Sequence, residues 1–171
     1  EDEDYNLEPI EYSGTVKDID VADIVASMGD SPIVKEGSGE FITMTVSLAS
    51  KPTKDVSVAV SVTDESELKI NKKTLTFKPD YWDMGQDILI NSVDDEIVDG
   101  NVKSKVVMKM TSGDANFNNK SKEIEFTPVD DDEAGFVITS NAATFPETSG
   151  STTSMSVALK SQPTSDVTVA V

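Results

Sequence analysis

The chain of 171 residues carries 32 acidic and 14 basic side chains, for a formal charge of −18, and it contains neither cysteine nor histidine. This charge disfavours nucleic acids and anionic membrane surfaces as partners, and it favours cations. The missing residue types exclude disulfides, thiolate or histidine catalysis, and zinc sites of the Cys/His kind. Because no apolar run of about 18 residues occurs, we expect no segment that inserts into a membrane.

An internal repeat organises the sequence. Residues 52–60 are PTKDVSVAV and residues 163–171 are PTSDVTVAV, so that seven of nine positions agree at an offset of 163 − 52 = 111 in the numbering. We interpret 1–20 as the end of one repeat, 21–132 as a complete repeat and 133–171 as the start of a third. A unit of about 110 residues suits one β-sandwich, and we expect a longer tandem array in the parent protein.

Hydrophobic and polar residues alternate along most of the chain, which is the pattern of half-buried strands. Ile42, Met44 and Val46 share one face, while Thr43 and Thr45 share the other. The predicted fold is therefore all-β, a seven-stranded antiparallel sandwich of the immunoglobulin-like type in tandem repeats. The seven predicted strands of the complete repeat lie near 23–34, 40–49, 55–63, 73–78, 86–93, 103–111 and 121–129.

Acidic residues concentrate at one pole of this predicted sandwich. If successive strands reverse direction, the loops after the first, third and fifth strands meet there with the end of the seventh. Like charges 4 Å apart repel by roughly 1 kcal/mol in water, so a crowd of carboxylates favours a neutralising cation over an empty acidic rim. Carboxylate oxygens on flexible loops are typical ligands of Ca²⁺. The acids at this pole are Glu36, Asp64, Glu65, Glu67, Asp94, Asp95, Glu96, Asp99, Asp130, Asp131, Asp132 and Glu133.

Four segments carry a family resemblance: VKEGSG at 34–39, TLTFKP at 74–79, ILINSVDDEIVDG at 88–100 and VDDDEAGF at 129–136. With them, the complete repeat resembles a Calx-β domain, the calcium-binding module of sodium–calcium exchangers that recurs in tandem in cell-surface proteins. The resemblance implies that nine of these acids are the candidate ligands of a Ca²⁺ cluster, with Glu67 ranked before Asp64 in the loop after the third strand. They are Glu36, Asp64, Glu67, Asp94, Asp95, Asp99, Asp130, Asp131 and Asp132. Partial sites of the neighbouring repeats would include Asp18, Asp20 and Glu147.

The expected function is a calcium-binding structural repeat of an extracellular or cell-surface array, an adhesin or filament, in which Ca²⁺ fixes the junctions between neighbouring repeats. Two alternatives stay open: a regulatory calcium sensor of a membrane transporter, and a carbohydrate-binding adhesion module that uses Tyr81 and Trp82. Other cell-surface proteins or glycans are candidate partners. No nucleophile and base accompany the acids, so no enzymatic activity is expected.

A second acidic motif has a structural interpretation. Asp114, Asn116 and Asn118 nearly follow the spacing of an EF-hand loop, but Asn119 stands where that loop requires glycine. This segment is therefore predicted to be a turn between strands. Residues 119–121, NKS, form an N-glycosylation sequon whose use the sequence leaves open.

Overall fold

The computed structural model describes residues 13–29, 34–140, 144, 147, 150 and 152–170. This part of the chain holds no helix with the length and apolar character that crossing a membrane requires. Its strands are β1 (Ile24–Met28), β2 (Ile42–Leu48), β3 (Val56–Val62), β4 (Leu68–Ile70), β5 (Thr74–Phe77), β6 (Gln86–Ser92), β7 (Ser104–Ser112), β8 (Ser121–Phe126), β9 (Phe136–Ser140) and β10 (Met155–Leu159).

Strands β1 to β8 form two four-stranded sheets, in the orders β1-β2-β6-β4 and β5-β3-β7-β8. Every pairing within them is antiparallel, as between Met44 and Ile88 in the first sheet and between Val58 and Met110 in the second. This architecture confirms the predicted all-β, immunoglobulin-like antiparallel fold.

The core lies between the two sheets and is built from the alternate residues that the sequence pattern assigned to the inner faces. Val34 and Phe117 are buried with it from loops at the two ends. The core residues of the strands are Ile24, Met44, Val46, Leu48, Leu68, Ile88 and Ile90 in the first sheet, and Val56, Val58, Val60, Leu75, Phe77, Val106, Met108, Met110 and Phe126 in the second.

The structure differs from the predicted strands in two places. Strand β4 was not predicted, because three residues are too few for alternation to stand out from the acidic loop before it. It pairs with β6 and moves the chain briefly into the first sheet. The first strand was predicted over 23–34, but β1 ends at Met28, and residues 30–33 lie outside the described part.

Strands β9 and β10 repeat the pairing of β1 and β2. Ile24 faces Leu48 in the first pair, and Phe136 faces Leu159 in the second, at offsets of 136 − 24 = 112 and 159 − 48 = 111 in the numbering. The pairing of β9 with β10 thus parallels that of β1 with β2, with an offset one residue larger in the first strand than in the second. The division into three repeats stays a prediction, and residues 1–12 of its first unit lie outside the described part.

Tyr81 and Trp82 lie in the turn between β5 and β6. Trp82 packs against the core, and its carbonyl accepts a hydrogen bond of 3.1 Å from the N–H of Leu48. Tyr81 is 60% exposed. Trp82 therefore covers the edge of the sandwich, while a glycan-binding role for the pair stays a prediction.

We expect Phe77→Ala to lower the free energy of unfolding by about 3–5 kcal/mol, because it leaves a cavity in a close-packed core. Phe77 is fully buried, whereas Phe41 is 62% exposed. Phe41→Ala is therefore the matched control, with an expected change within about 0.5 kcal/mol. Urea unfolding followed by circular dichroism measures both, and equal losses would contradict this account of the core.

Candidate metal centre

Backbone hydrogen bonds bring Glu36 beside the segment that follows β8. The N–H of Glu36 donates to the carbonyl of Val129 at 3.1 Å, and the N–H of Val129 donates to the carbonyl of Val34 at 2.8 Å. Lys35 and Val129 form a parallel bridge between the same two segments. Glu36 is 6% exposed and lies next to the run that begins at Asp130.

A second contact places Glu67 against the end of β6. The N–H of Val93 donates to the carbonyl of Glu67 at 2.9 Å. Glu67 is 5% exposed and immediately precedes the buried Leu68 of β4. The loop after β3 is therefore fixed beside the acidic loop of residues 94–100, which we call the 94–100 loop.

The 94–100 loop is in turn tied to the acids after β8. The N–H of Gly100 donates to Oδ2 of Asp130 at 2.7 Å, and the N–H of Asp132 donates to Oδ1 of Asp130 at 2.8 Å. These hydrogen bonds to the charged form lower the pKa of Asp130. Asp130 is thus held as a carboxylate at the meeting point of two acidic segments.

Gly37 marks the closest approach of these segments. A Cβ atom at Gly37 would lie 2.9 Å from Oδ1 of Asp94 and 3.3 Å from Oδ2 of Asp131. Carboxylate oxygens from two different segments therefore converge on this one position, and a methyl group there would require the Asp94 carboxylate to shift. Sequence reasoning missed this role of Gly37, although its position directly after the candidate ligand Glu36 is a usable signal.

Burial and neighbouring charges make Glu36 hard to ionise. Desolvation by burial and then the charges of Glu67, Asp95, Asp130 and Asp99 raise the pKa of Glu36 to about 7. Four acids from three different loops therefore act on one carboxyl group.

Two further carboxyls show the same coupling. The pKa of Glu67 is raised, first by burial and then by the charges of Asp99, Asp64, Asp95 and Asp130. The pKa of Asp132 is also raised, first by desolvation and then by the charges of Asp130, Asp131, Asp95 and Asp94. All nine predicted ligands thus belong to one electrostatically coupled group, which we call the acidic pole.

Two oxygens of the acidic pole are buried without a hydrogen-bond partner among the described residues: Oε2 of Glu67 and Oδ2 of Asp132. A buried carboxylate oxygen without a partner is costly, and a hard cation is one way to satisfy it. The donor set, all carboxylate oxygen, fits Ca²⁺. As the side chains stand, no group of three or more acids in the described part is arranged to hold a metal ion. The calcium site therefore stays a prediction.

The side chain of Asp64 also has a local role, and the three acids assigned to neighbouring sites lie outside the acidic pole. Oδ1 of Asp64 accepts hydrogen bonds from the N–H and the hydroxyl of Ser66, so this carboxylate shapes its own turn. Asp18 and Asp20 line a cavity at the opposite pole of the sandwich, beside Asp114. Glu147 is exposed. None of these three contributes to the acidic pole.

The carboxylate of Asp114, in the EF-hand-like motif, is used to hold a turn. Oδ2 of its carboxylate accepts hydrogen bonds of 2.8 Å from the N–H and the hydroxyl of Thr53, and Oδ1 accepts one of 3.0 Å from the N–H of Asn116. These bonds lower the pKa of Asp114. The segment joins the turn after β2 to the turn after β7, as its structural interpretation predicts.

We expect Gly37→Ala to destabilise the protein more than Gly39→Ala does. Both glycines have positive φ angles, 63° and 66°, so alanine at either costs about 1–2 kcal/mol of backbone strain. Only at Gly37 would the new methyl group also displace the carboxylates of Asp94 and Asp131, because nothing lies within 4 Å of a Cβ at Gly39. Chemical denaturation of both variants measures the difference, and equal losses would contradict the crowding at Gly37.

No family model matches the chain, and no curated protein matches it. Among solved structures it is similar to SSP-19, an MSP-domain protein like family member in Caenorhabditis elegans, at 11% identity and a TM-score of 0.41 over 57% of this chain and 92% of that one. It is also similar to native alpha-2-macroglobulin from E. coli, at 10% identity and a TM-score of 0.46 over 69% of this chain and 7% of that one. A third similarity is to the Salmonella enterica SafA pilin in complex with the SafB chaperone, at 13% identity and a TM-score of 0.41 over 64% of this chain and 55% of that one. None of these three is named as a Calx-β domain, and that resemblance stays a prediction.

Proposed function

We propose that this chain is a calcium-binding structural repeat of an extracellular or cell-surface array. The observation that carries the proposal is the pair of buried, unpartnered carboxylate oxygens of Glu67 and Asp132 within a group of like charges. A carboxylate that is both desolvated and repelled by its neighbours is a liability to the fold unless a cation is present. An array repeat that works in calcium-rich surroundings would not suffer this cost.

The mechanism is electrostatic and acts on the junction with the next repeat. Glu36, Glu67 and the acids of the 94–100 loop and of residues 130–132 would hold the ion or ions. When bound, Ca²⁺ supplies the positive charge that lets these loops close together. Because residues 130–132 lead directly to β9, ordering them would fix the direction in which the chain leaves the sandwich. The neighbouring repeats are then the principal partners.

Spin labels can test this mechanism cleanly, because the chain contains no cysteine. We expect the distance between labels at Lys109→Cys and Ser156→Cys, on the exposed sides of β7 and β10, to have a narrow distribution with calcium and a broad one with a chelator. The control pair, Thr43→Cys and Lys109→Cys, lies within the sandwich and should give the same width in both conditions. Equal widths for the first pair in calcium and in chelator would contradict a calcium-ordered junction.

A further inference from the structure

The 94–100 loop contacts the following unit through its backbone. Ile97 and Gln162 form a parallel β-bridge, and the N–H of Gln162 donates to the carbonyl of Glu96. Gln162 lies just after β10, in a segment of residues 161–165 that we call the 161–165 turn. The same loop therefore has two sides: its acids belong to the acidic pole, while Glu96 and Ile97 bind the next unit through the main chain.

An apolar contact accompanies this bridge. Val98 lines a cavity of about 420 Å³ together with Phe136, Leu159, Pro163 and Val167. An exposed ion pair of 2.9 Å between Lys160 and Glu133 lies within the next unit, beside this contact. The main-chain bridge and the valine thus form a definite contact between one unit and the start of the next.

The 161–165 turn has a counterpart in the complete unit. The N–H of Lys160 donates to the carbonyl of Gly135 at 2.9 Å, and the N–H of Ala49 donates to the carbonyl of Asp23, also at 2.9 Å. At the offset of the sequence repeat, Gln162 corresponds to Lys51 and Thr164 to Thr53 (162 − 51 = 164 − 53 = 111). The turn of residues 50–54 is therefore the equivalent of the turn that the 94–100 loop binds.

That equivalent turn borders a second cavity. About 430 Å³ in volume, it is lined by Ala22, Ser50, Lys51 and Thr53, and Phe117 closes its inner side. The N–H of Lys51 is in the position of the Gln162 donor, on an exposed residue. The charged residues that line the cavity are Lys51, Lys120, Asp18, Asp20 and Asp114. The site thus offers a backbone donor and apolar surface in the same arrangement that the 94–100 loop meets at Gln162.

We propose that this cavity binds the acidic loop, equivalent to 94–100, of another copy of the repeat joined head to tail ahead of residue 21. The carbonyl before its isoleucine accepts from the N–H of Lys51, and its valine enters beside Ala22 and Phe117. The proposal rests on the head-to-tail order of the proposed function but not on the presence of calcium in the acidic pole.

A lengthened chain tests the contact. In the test protein, a second copy of residues 21–132 is inserted between residues 20 and 21 of the full chain. Residue 132 of the first copy is then followed directly by residue 21 of the second copy. This junction is equivalent to the one between residues 132 and 133. Ile97→Cys in the first copy and Lys51→Cys in the second place two thiols at bridged positions, whose spacing of about 5 Å suits a disulfide. We expect this pair to oxidise at least about ten times faster than Ile97→Cys paired with Thr76→Cys of the second copy, since Thr76 lies on the exposed face of β5.

The original chain supplies the positive control. Ile97→Cys with Gln162→Cys should form a disulfide there, since the structure pairs these residues. If that control forms and the Lys51 pair oxidises no faster than the Thr76 pair, the proposed binding site is wrong. If the control also fails, the contact is not formed in solution, and the proposal is overturned as well. If the Lys51 pair oxidises at the same fast rate in calcium and in chelator, the contact proposed here is supported. The same result would contradict the proposed function, in which calcium orders the junction between repeats.

Discussion

The Glu67→Gln variant is expected to shift thermal unfolding in opposite directions without and with calcium. In a chelator the variant should be more stable than the wild type, because it removes a charge that is 5% exposed and surrounded by like charges. Relief of an unpaired buried charge of this kind is worth about 1–3 kcal/mol. In calcium the order should reverse, because the variant loses a ligand. At a calcium concentration 100 times the dissociation constant, one bound ion stabilises the wild type by about 2.7 kcal/mol.

Glu65→Gln is the matched control for this experiment. Glu65 lies two residues away but is exposed, and it pairs with Lys73 at 3.3 Å instead of joining the acidic pole. Its substitution should leave the midpoint nearly unchanged in both conditions, because exposed ion pairs contribute little. Scanning calorimetry in chelator and in calcium measures all three proteins. A midpoint for Glu67→Gln below that of the wild type in chelator would contradict the electrostatic account.

Acidification is expected to stabilise the calcium-free protein between about pH 8 and about pH 5. The pKa of Glu36 rises from its ordinary value of 4.5 to about 7 on folding. Between these values the folded protein keeps the proton and the unfolded chain has lost it, so stability falls as the pH rises through that window. A rise of this size in the pKa corresponds to on the order of 3 kcal/mol. Well below pH 5, carboxyls with lowered pKa values, such as Asp114 and Glu125, oppose the trend.

Urea unfolding in chelator at a series of pH values measures this slope. Glu36→Gln should flatten it, whereas Glu40→Gln, at an exposed position in the same loop, should keep it. With calcium the slope should become smaller or change sign, because protons compete with the ion for the carboxylates. A calcium-free wild type that loses stability on acidification from about pH 8 to about pH 6 would contradict the raised pKa of Glu36.

Alternation was sufficient to predict the fold. Strands β2, β3 and β7 each bury every second residue against the core, and this period of two is visible in the sequence. It could not reveal β4, whose three residues pair with β6 only because the fold brings them together. The bridge between Lys35 and Val129 was also hidden, since it joins two segments outside regular strands.

The acidic pole could be predicted in part. Reversal of successive strands was enough to gather Glu36, Glu67 and the acids of two further segments at one end. The separate role of Asp64 depends on the local hydrogen bonds to Ser66, which charge placement does not specify. Which oxygens of Glu67 and Asp132 lack a hydrogen-bond partner depends on which side of each carboxyl group is buried. Only the folded structure determines this.

The central claim is tested most directly by calorimetric titration of calcium into the full chain and into its Glu67→Gln and Glu65→Gln variants. We predict saturable binding to the wild type and to Glu65→Gln, with an affinity at least about tenfold lower for Glu67→Gln, a loss of about 1.4 kcal/mol. Absence of saturable binding to the wild type, or equal affinity of all three proteins, would contradict the assignment of a calcium site to the acidic pole.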